Sequence, residues 1–552
     1  MSSASIDYQI MWSRLIAVVE EQATTLIRTA FSTSVREAGD LSAGLFDLDG
    51  RMMAQAVTGT PGHVNAMAES VLHFIEEIGR DNVCDGDVYL TNDPWLGTGH
   101  LHDVTMVTPA FRKGRHVGFF ACTAHVVDIG GRGFGPDAND VYEEGLLIPI
   151  TRFRDRGKVS AEVLRFVRAN VRAPDAVVGD LYSLEACNAA GDRRLQEMMT
   201  EFRIDDLQGL ADFIIDTSRK ATRDCIAALP PGDYHNEMRV DGYDAPVEMK
   251  VRLRIEGDIL VADFAGTSGM SALGVNVPMV YTRAYACYGL KCAIAPEVPN
   301  NTGSLEPFEV TAPEGCILNA KRPAPVSVRH VLGHFVPDVV LGALHRCVPE
   351  RVPAEGASAL WNIQISARPA DPASALPGAE MLLFNSGGTG ARPGLDGLSA
   401  TAFPSGVKTM SIEATEQVGP IVIWRKDLRE GSGGAGAHRG GLGQTIEIEP
   451  RDGYEFHFNA MFDRIENPAR GRAGGGAGAP GLVALADGTK LRGKGRQKVP
   501  DGARLVLGLP GGGGYGDPAD RPRDKVRADL AAGYISAAQA KADYGLEEDD
   551  QC

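Results

Sequence analysis

The sequence lacks a segment that could cross a membrane. None of its apolar runs reaches the ~18 residues that a spanning helix needs. The first residues also lack the basic stretch of a signal peptide, and their apolar positions are interrupted by Arg14, Glu20 and Glu21. From these absences we expect no membrane association and predict a cytoplasmic protein.

Positive charge is in deficit, and the cysteines form no motif. Lysine and arginine number 55 against 72 aspartates and glutamates, so the formal net charge is −17. We do not expect such an acidic chain to bind nucleic acid. The 9 cysteines contain no C-x-x-C pattern, which excludes a zinc ribbon and a thioredoxin-like site. Dispersed cysteines without a signal peptide indicate reduced thiols.

Two common catalytic motifs are missing as well. There is no G-x-S-x-G, and therefore no nucleophile elbow. The segment GTKLRGKG approaches a P-loop, but Gly495 stands where a Ser or Thr would bind magnesium, and no strand-to-helix pattern surrounds it. The acidic pairs Glu143/Glu144 and Glu413/Glu416 are typical of solvated surface. We therefore expect no nucleotide site in this chain.

The residues that are present predict a folded protein with several helices. Of the 552 residues, 43% are hydrophobic and 23% are charged, which is ordinary globular composition. Apolar residues at every fourth position predict a first helix that Asp7 caps. Further helices are expected from about Asn65 to Ile78, within the stretch Ser160 to Leu229, and from about Lys525 to Tyr544.

Other segments predict strands and glycine-rich loops. Short apolar runs between Val88 and Ile150 are typical of buried strands, and apolar and polar residues alternate from Val247 to Ile255. The segment PPGD at 230–233 suggests a boundary, and glycine is abundant in the last third. We predict a mixed α/β (α+β) fold, with a helical N-terminal region packed on a β-rich core with Gly-rich loops. Its expected regions are 1–232, 233–410 and 411–552.

The most informative stretch runs from Asn92 to Gly131. It contains NDPWLGTGHLHDVTMVTP and, further on, HVVDIGG, each at the point where an apolar run meets a glycine-rich loop. Two neutral imidazoles and one carboxylate can hold a divalent metal and leave positions open. Exposed loop residues and capping aspartates are the alternative interpretation. The candidate residues are Asp93, His100, His102, Asp103, His125 and Asp128.

These segments and others resemble the hydantoinase B/oxoprolinase family. The matching segments occur in the order of that family, from about Ile6 to Tyr544, and include YEEGLLIPI, VADFAGTS, SGGAGAHRGGLG and GGGGYGDP. The resemblance implies a B-type subunit that works with a hydantoinase A-like ATP-binding subunit in a hetero-oligomer. ATP and magnesium would then bind to the partner subunit.

The resemblance also implies which residues bind the metal. In relatives, the His and Asp of an H-x-x-D motif and the His of H-x-x-D-I-G-G are ligands, and these positions are His100, Asp103 and His125 here. We expect manganese or zinc. His102 stands where relatives often have proline. Asp93 and Asp128 are expected to support the imidazoles, and with His102 they are the remaining catalytic candidates.

The function that follows is hydrolysis of a cyclic amide such as a hydantoin, an oxoproline or a lactam. Phosphorylation on the partner would activate the amide carbonyl, and hydroxide bound to the metal would attack it. A subunit of an ATP-dependent ketone carboxylase is the first alternative. A 2-His-1-carboxylate iron oxygenase using His102, Asp103 and His125 is a second. A non-catalytic scaffold for the ATP-binding subunit is a third.

Overall fold

The computed structural model describes residues 3–546, and it confirms a mixed α/β fold. No helix of these residues is both long and apolar enough to span a membrane. The helices are α1 (Ser3–Thr29), α2 (Thr33–Arg36), α3 (Pro61–Ile78), α4 (Val141–Glu144), α5 (Ala161–Asn170), α6 (Pro174–Glu201), α7 (Gln208–Ala227), α8 (Met279–Ile294), α9 (Thr302–Leu305), α10 (His330–Gly333), α11 (Val336–Leu344), α12 (Ile412–Val418), α13 (Arg523–Ala531) and α14 (Ala537–Tyr544).

A seven-stranded sheet lies within the first 160 residues, and its strands follow the order β2-β1-β5-β4-β3-β6-β7. Helices α1 and α6 cover one face, where the core includes Leu15, Phe120 and Leu184. Helix α3 covers the other face through Phe74. The strands are β1 (Leu41–Phe46), β2 (Met52–Gln55), β3 (Val88–Thr91), β4 (Asp103–Arg112), β5 (Arg115–His125), β6 (Thr151–Asp155) and β7 (Lys158–Val159).

A four-stranded sheet follows residue 231, in the order β11-β10-β9-β8. Along β9 every second residue is buried, as the alternation from Val247 to Ile255 predicted. The buried face packs against α8 and α11. The strands are β8 (Gly232–Val240), β9 (Val247–Glu256), β10 (Ile259–Asp263) and β11 (Phe308–Thr311).

Two further four-stranded sheets form the C-terminal part, in the orders β13-β12-β16-β18 and β14-β15-β19-β17, and enclose a common core. The first sheet joins strands from both sides of residue 410, so a division at that position passes through it. The strands are β12 (Ile363–Pro369), β13 (Ala379–Leu383), β14 (Ile421–Leu428), β15 (Gln444–Pro450), β16 (Tyr454–Met461), β17 (Leu482–Leu485), β18 (Lys494–Val499) and β19 (Leu505–Gly508).

Several local predictions need correction. Helix α1 includes Asp7 within its length, so Asp7 does not cap it. The predicted last helix is interrupted because Gly533 takes a φ of 70° and Ser536 starts a new helix with a capping box. Glu144 is buried rather than solvated. The segment at 488–495 follows β17 and ends within the first two residues of β18, so a strand and not a helix comes directly after it.

Candidate metal centre

The β4–β5 hairpin brings two of the predicted ligands together. Lys113 and Gly114, both with positive φ, form its tight turn, and the strands then run back in antiparallel register. At the open end, Asp103 is the first residue of β4 and lies directly opposite His125, the last residue of β5. Directly opposed residues of an antiparallel pair have neighbouring side chains. His100 enters from the turn that precedes β4.

The three predicted ligands form one compact group. One ligand atom from each of His100, Asp103 and His125 lies within 4.8 Å of the others. His100 Nε2 is 2.8 Å from Asp103 Oδ1, and His125 Nδ1 is 3.2 Å from the same oxygen. All three side chains are buried. Among the described residues, this is the group of His, Cys, Asp and Glu side chains with the spacing for one ion.

The protonation state of His100 fits a cation at this position. His100 Nδ1 is 2.8 Å from the carbonyl oxygen of Ser327. A carbonyl can only accept, so Nδ1 carries the proton and donates it. Burial and the Arg329 charge lower the pKa of His100 to about 3, and the ring is therefore neutral. Its Nε2 then presents a lone pair to an Asp103 oxygen, an arrangement that a cation between the two atoms would stabilise.

The second oxygen of Asp103 holds a separate set of donors. Asp103 Oδ2 accepts hydrogen bonds from Thr98 Oγ1 at 2.8 Å and from Arg329 Nη2 at 2.5 Å, and it lies 2.9 Å from His63 Nε2. Burial alone would raise the pKa of Asp103, but the positive charges of His63 and Arg329 keep it well below its ordinary value. Asp103 is therefore a carboxylate, with one oxygen left for the imidazole ligands.

Asp40 provides a second carboxylate behind His63. Asp40 Oδ1 lies 3.6 Å from His63 Nδ1 and accepts a hydrogen bond from Thr60 Oγ1 at 2.8 Å. Burial lowers the pKa of His63, but the carboxylates of Asp103 and Asp40 outweigh it and the net shift is upward. A positively charged His63 would balance part of the negative charge at the site.

A cavity of about 20 Å³, room for about one water molecule, adjoins His100 and His125. Its wall includes His330 and His334, whose Nε2 and Nδ1 atoms respectively have no hydrogen-bond partner. Burial, together with neighbouring positive charges, lowers the pKa of His334 to about 3 and that of His330 well below its ordinary value. Both rings are therefore neutral at pH 7. They offer unpaired polar atoms to one small polar group in the cavity.

The other three predicted residues do not join the ligand group. Asp93 pairs with Arg322 and with the backbone N–H of Trp95. Asp128 pairs with Arg172. Among the described residues the ion pairs of both aspartates are with arginines, and their support of the imidazoles stays a prediction. The Ser327 carbonyl lies within hydrogen-bond distance of His100.

His102 is next to the site without being part of the group. Its ring stacks on His125 at 5.4 Å between centroids and an angle of 14°, and neither of its nitrogens has a hydrogen-bond partner. Burial, with His125 and His100, lowers its pKa well below the ordinary value. The alternative iron triad would use His102, whereas the compact group contains His100 in its place.

Sequence reasoning missed several residues of the site. Asp40, His63 and Arg329 come from segments that carry no recognisable metal motif, and Arg329 lies 226 positions from Asp103. A lone buried histidine such as His63 carries little signal by itself. The spacing R-H-x-x-x-H at 329–334 was a usable signal, because it places two imidazoles near each other on one turn of helix.

The chain is similar to known proteins along most of its length. The pattern of the hydantoinase B/oxoprolinase family matches residues 4–518. Caprolactamase subunit beta from Pseudomonas jessenii is 29% identical to this chain, over 95% of this chain and 93% of that protein. 5-Oxoprolinase 1 from Arabidopsis thaliana is 28% identical over 93% of this chain, but the match covers 42% of that longer protein.

Solved structures show the same fold. The crystal structure of ATP-dependent caprolactamase from Pseudomonas jessenii has a TM-score of 0.90 at 27% identity and covers 98% of this chain and 96% of its own. A nucleotide-free structure of acetone carboxylase has a TM-score of 0.87 at 20% identity, covers 99% of this chain and 80% of its own, and supports the fold alone. The chain belongs to the hydantoinase B/oxoprolinase family.

Proposed function

We propose that this chain is the metal-bearing hydrolytic subunit of an ATP-dependent cyclic amide hydrolase. The observation that carries the proposal is the buried group of His100, Asp103 and His125, in which an imidazole lone pair faces a carboxylate oxygen at 2.8 Å. Mixed nitrogen and oxygen ligands suit manganese or zinc. When bound, such an ion supplies polarisation of a carbonyl oxygen and a lowered pKa for water.

The residues of the chain contribute the surroundings of the reacting carbonyl. The Ser327 carbonyl fixes the orientation of the His100 ring. Arg329 and His63 hold the second oxygen of Asp103, so that this carboxylate cannot rotate away from the two histidines. The unpaired nitrogen of His330 faces the cavity and is placed to hydrogen-bond a polar group of the substrate. Burial of the whole site limits the access of bulk water.

We further propose that an A-type subunit binds ATP and magnesium and activates the amide by phosphorylation. This chain has no P-loop, because Gly495 stands where a Ser or Thr would bind magnesium. Caprolactamase, a relative over nearly the whole chain, is described as ATP-dependent, and the matching protein is called its subunit beta. A division of labour between two subunits accounts for both observations.

The decisive experiment uses the complex reconstituted from this chain and an A-type subunit. With ATP and a panel of hydantoin, oxoproline and lactam, we expect ring-opened product that depends on a divalent ion. His125→Ala should abolish turnover while the partner still binds ATP. Full activity of the metal-free complex would contradict the proposal and favour a scaffold. Incorporation of labelled bicarbonate into a ketone, without amide hydrolysis, would identify a carboxylase subunit.

A further inference from the structure

A second cavity lies next to the metal site and is separated from it by one aromatic ring. The cavity has a volume of about 100 Å³, and Phe134 belongs to its wall and also to the wall of the cavity beside the metal ligands. The Phe134 ring contacts His102 and His125, with centroid distances of 5.0 Å to each. We call this second cavity the arginine cleft, because Arg132, Arg172, Arg368 and Arg496 line it.

One wall of the arginine cleft is the polar face of a sheet. Gln364, Ser366 and Arg368 alternate along β12 and point into the cleft, while Ile363 and Ile365 point into the core on the other side. The strand register places neighbouring polar residues beside them, from β16 and β18. A sheet with one face in a core usually exposes its polar face to solvent. Here that face is turned towards the loop that carries Phe134.

The charges of the arginine cleft are not fully balanced by the protein. Arg172 pairs with Asp128 at 2.8 Å, Arg368 with Glu380 at 2.5 Å, and Arg132 with Glu143 at 2.9 Å. None of these three ion pairs includes Arg496. Among the described residues, the Arg496 guanidinium has no hydrogen bond or ion pair.

A second polar group in the cleft is also unpaired. Gln364 is 6% exposed, and its Oε1 atom has no hydrogen-bond partner. Its Nε2 donates to Glu380 Oε2 at 3.5 Å, so the unpaired oxygen can accept a hydrogen bond from an N–H or O–H group of a ligand. A buried polar atom without a partner is costly in a folded protein. A polar ligand in the cleft would remove this cost, and an anionic one would also form an ion pair with Arg496.

We propose that the arginine cleft binds the phosphate group of a small phosphorylated molecule before that molecule reaches the metal site. Guanidinium groups bind phosphate oxygens in pairs and remain charged at any physiological pH. The chain as a whole carries a net charge of −17, so a cleft rich in arginine is a local exception that would attract an anion. The inference rests on the proposed function, in which the partner subunit phosphorylates the amide.

The test measures binding of inorganic phosphate to the metal-free full-length chain by isothermal titration calorimetry. Metal-free His125→Ala protein serves as a second sample. Because this variant lacks a predicted metal ligand, a residual ion at the metal site cannot account for phosphate binding. We expect saturable binding in both. Arg496→Gln should weaken the binding by about tenfold or more, because it removes a charged hydrogen-bond donor. Arg254→Gln is the matched control, an exposed arginine on β9, and should bind phosphate like the wild type.

Three outcomes would overturn the inference: no saturable binding of phosphate, equal affinity in the Arg496→Gln protein, or binding of acetate as tight as that of phosphate. The last would indicate a carboxylate product as the ligand. If Arg496→Gln weakens phosphate binding but the chain never binds a divalent ion, the arginine cleft is supported and the proposed metal site is refuted. The two proposals can therefore fail separately.

Discussion

At the scale of single residues, Asp103 is the side chain on which most of the site depends. It faces two imidazoles with one oxygen and Arg329 with the other, and both Asp103 and Arg329 are buried. Removing one partner of a buried ion pair leaves the other charge without compensation. The stability of the protein and the geometry of the site are therefore linked through this one carboxylate.

Asp103→Asn should destabilise the protein strongly. The amide removes the negative charge that Arg329 and His63 face, and we expect the free energy of unfolding to fall by about 3–5 kcal/mol. Urea denaturation followed by circular dichroism measures this change. Asp205→Asn, which removes an exposed partner of Lys113, is the control and should leave the midpoint unchanged. Equal midpoints for the two variants would contradict this view of Asp103.

Glu144 is a second buried carboxyl group, and it acts on the site indirectly. Glu144 Oε1 accepts the backbone N–H groups of Val326 and Ser327, at 2.5 and 2.7 Å, and the Ser327 carbonyl in turn accepts from His100. Burial raises the pKa of Glu144 to about 8 despite these hydrogen bonds. Glu144 therefore positions the segment that orients a predicted ligand.

The raised pKa of Glu144 predicts a particular pH dependence of stability. Because its pKa is higher in the folded state than the ordinary value of about 4.3, the folded protein gains stability from the bound proton at low pH. That contribution is lost as the pH rises through about 8. The amide introduced by Glu144→Gln cannot titrate. The free energy of unfolding of this variant, relative to that of the wild type, should therefore increase as the pH rises from about 5 to about 9. A difference that stays constant with pH in urea denaturation would refute this.

At the scale of elements, the periodic segments were predicted and the interrupted ones were not. The alternation along β9 identified both the strand and its buried face, because side chains two residues apart lie on the same face of a strand. The predicted last helix was continuous, whereas the structure has α13 and α14. Alanine-rich sequence at 528–542 has helical propensity throughout, and the positive φ of Gly533 ends the first helix within it.

A pair of neighbouring substitutions on β9 tests this assignment. Leu253 is fully buried and Arg254, on the opposite face, has 45% of its side chain exposed. Leu253→Ala should lower the free energy of unfolding by about 2–5 kcal/mol because it leaves a cavity in the core. Arg254→Ala should have little effect on the urea midpoint. Similar losses for both variants would show that the strand does not have one buried face.

At the scale of the whole molecule, the candidate stretch was predictable because its residues are close in sequence, and the family resemblance selected the three expected ligands within it. His100 and Asp103 lie three residues apart, and one hairpin returns the chain to His125. Asp40, His63, Arg329 and His330 come from segments before and after this hairpin. Their approach depends on how the sheet, α3 and the segment around α10 pack together. Spacing along one sequence holds no information on such packing, so these residues were missed.

The absence of a nucleotide motif leads to a prediction about the isolated chain. The purified chain should not hydrolyse ATP, with or without a cyclic amide, because its segment at 488–495 has Gly495 in place of the Ser or Thr of a P-loop and leads into a strand. Hydrolysis should appear when an A-type subunit is added, and the two should elute as one complex from a size-exclusion column. Substrate-dependent ATP hydrolysis by the chain alone would contradict the division of labour.

The measurement that most directly tests the central claim is the metal content of the purified protein and its variants. After loading with manganese or zinc, mass spectrometry of the wild type should find about one ion per chain, as expected for a single three-ligand site. His125→Ala should lose most of this ion. His102→Ala, which changes an adjacent imidazole outside the ligand group, should retain it. An unchanged metal content in the His125→Ala protein would contradict the account.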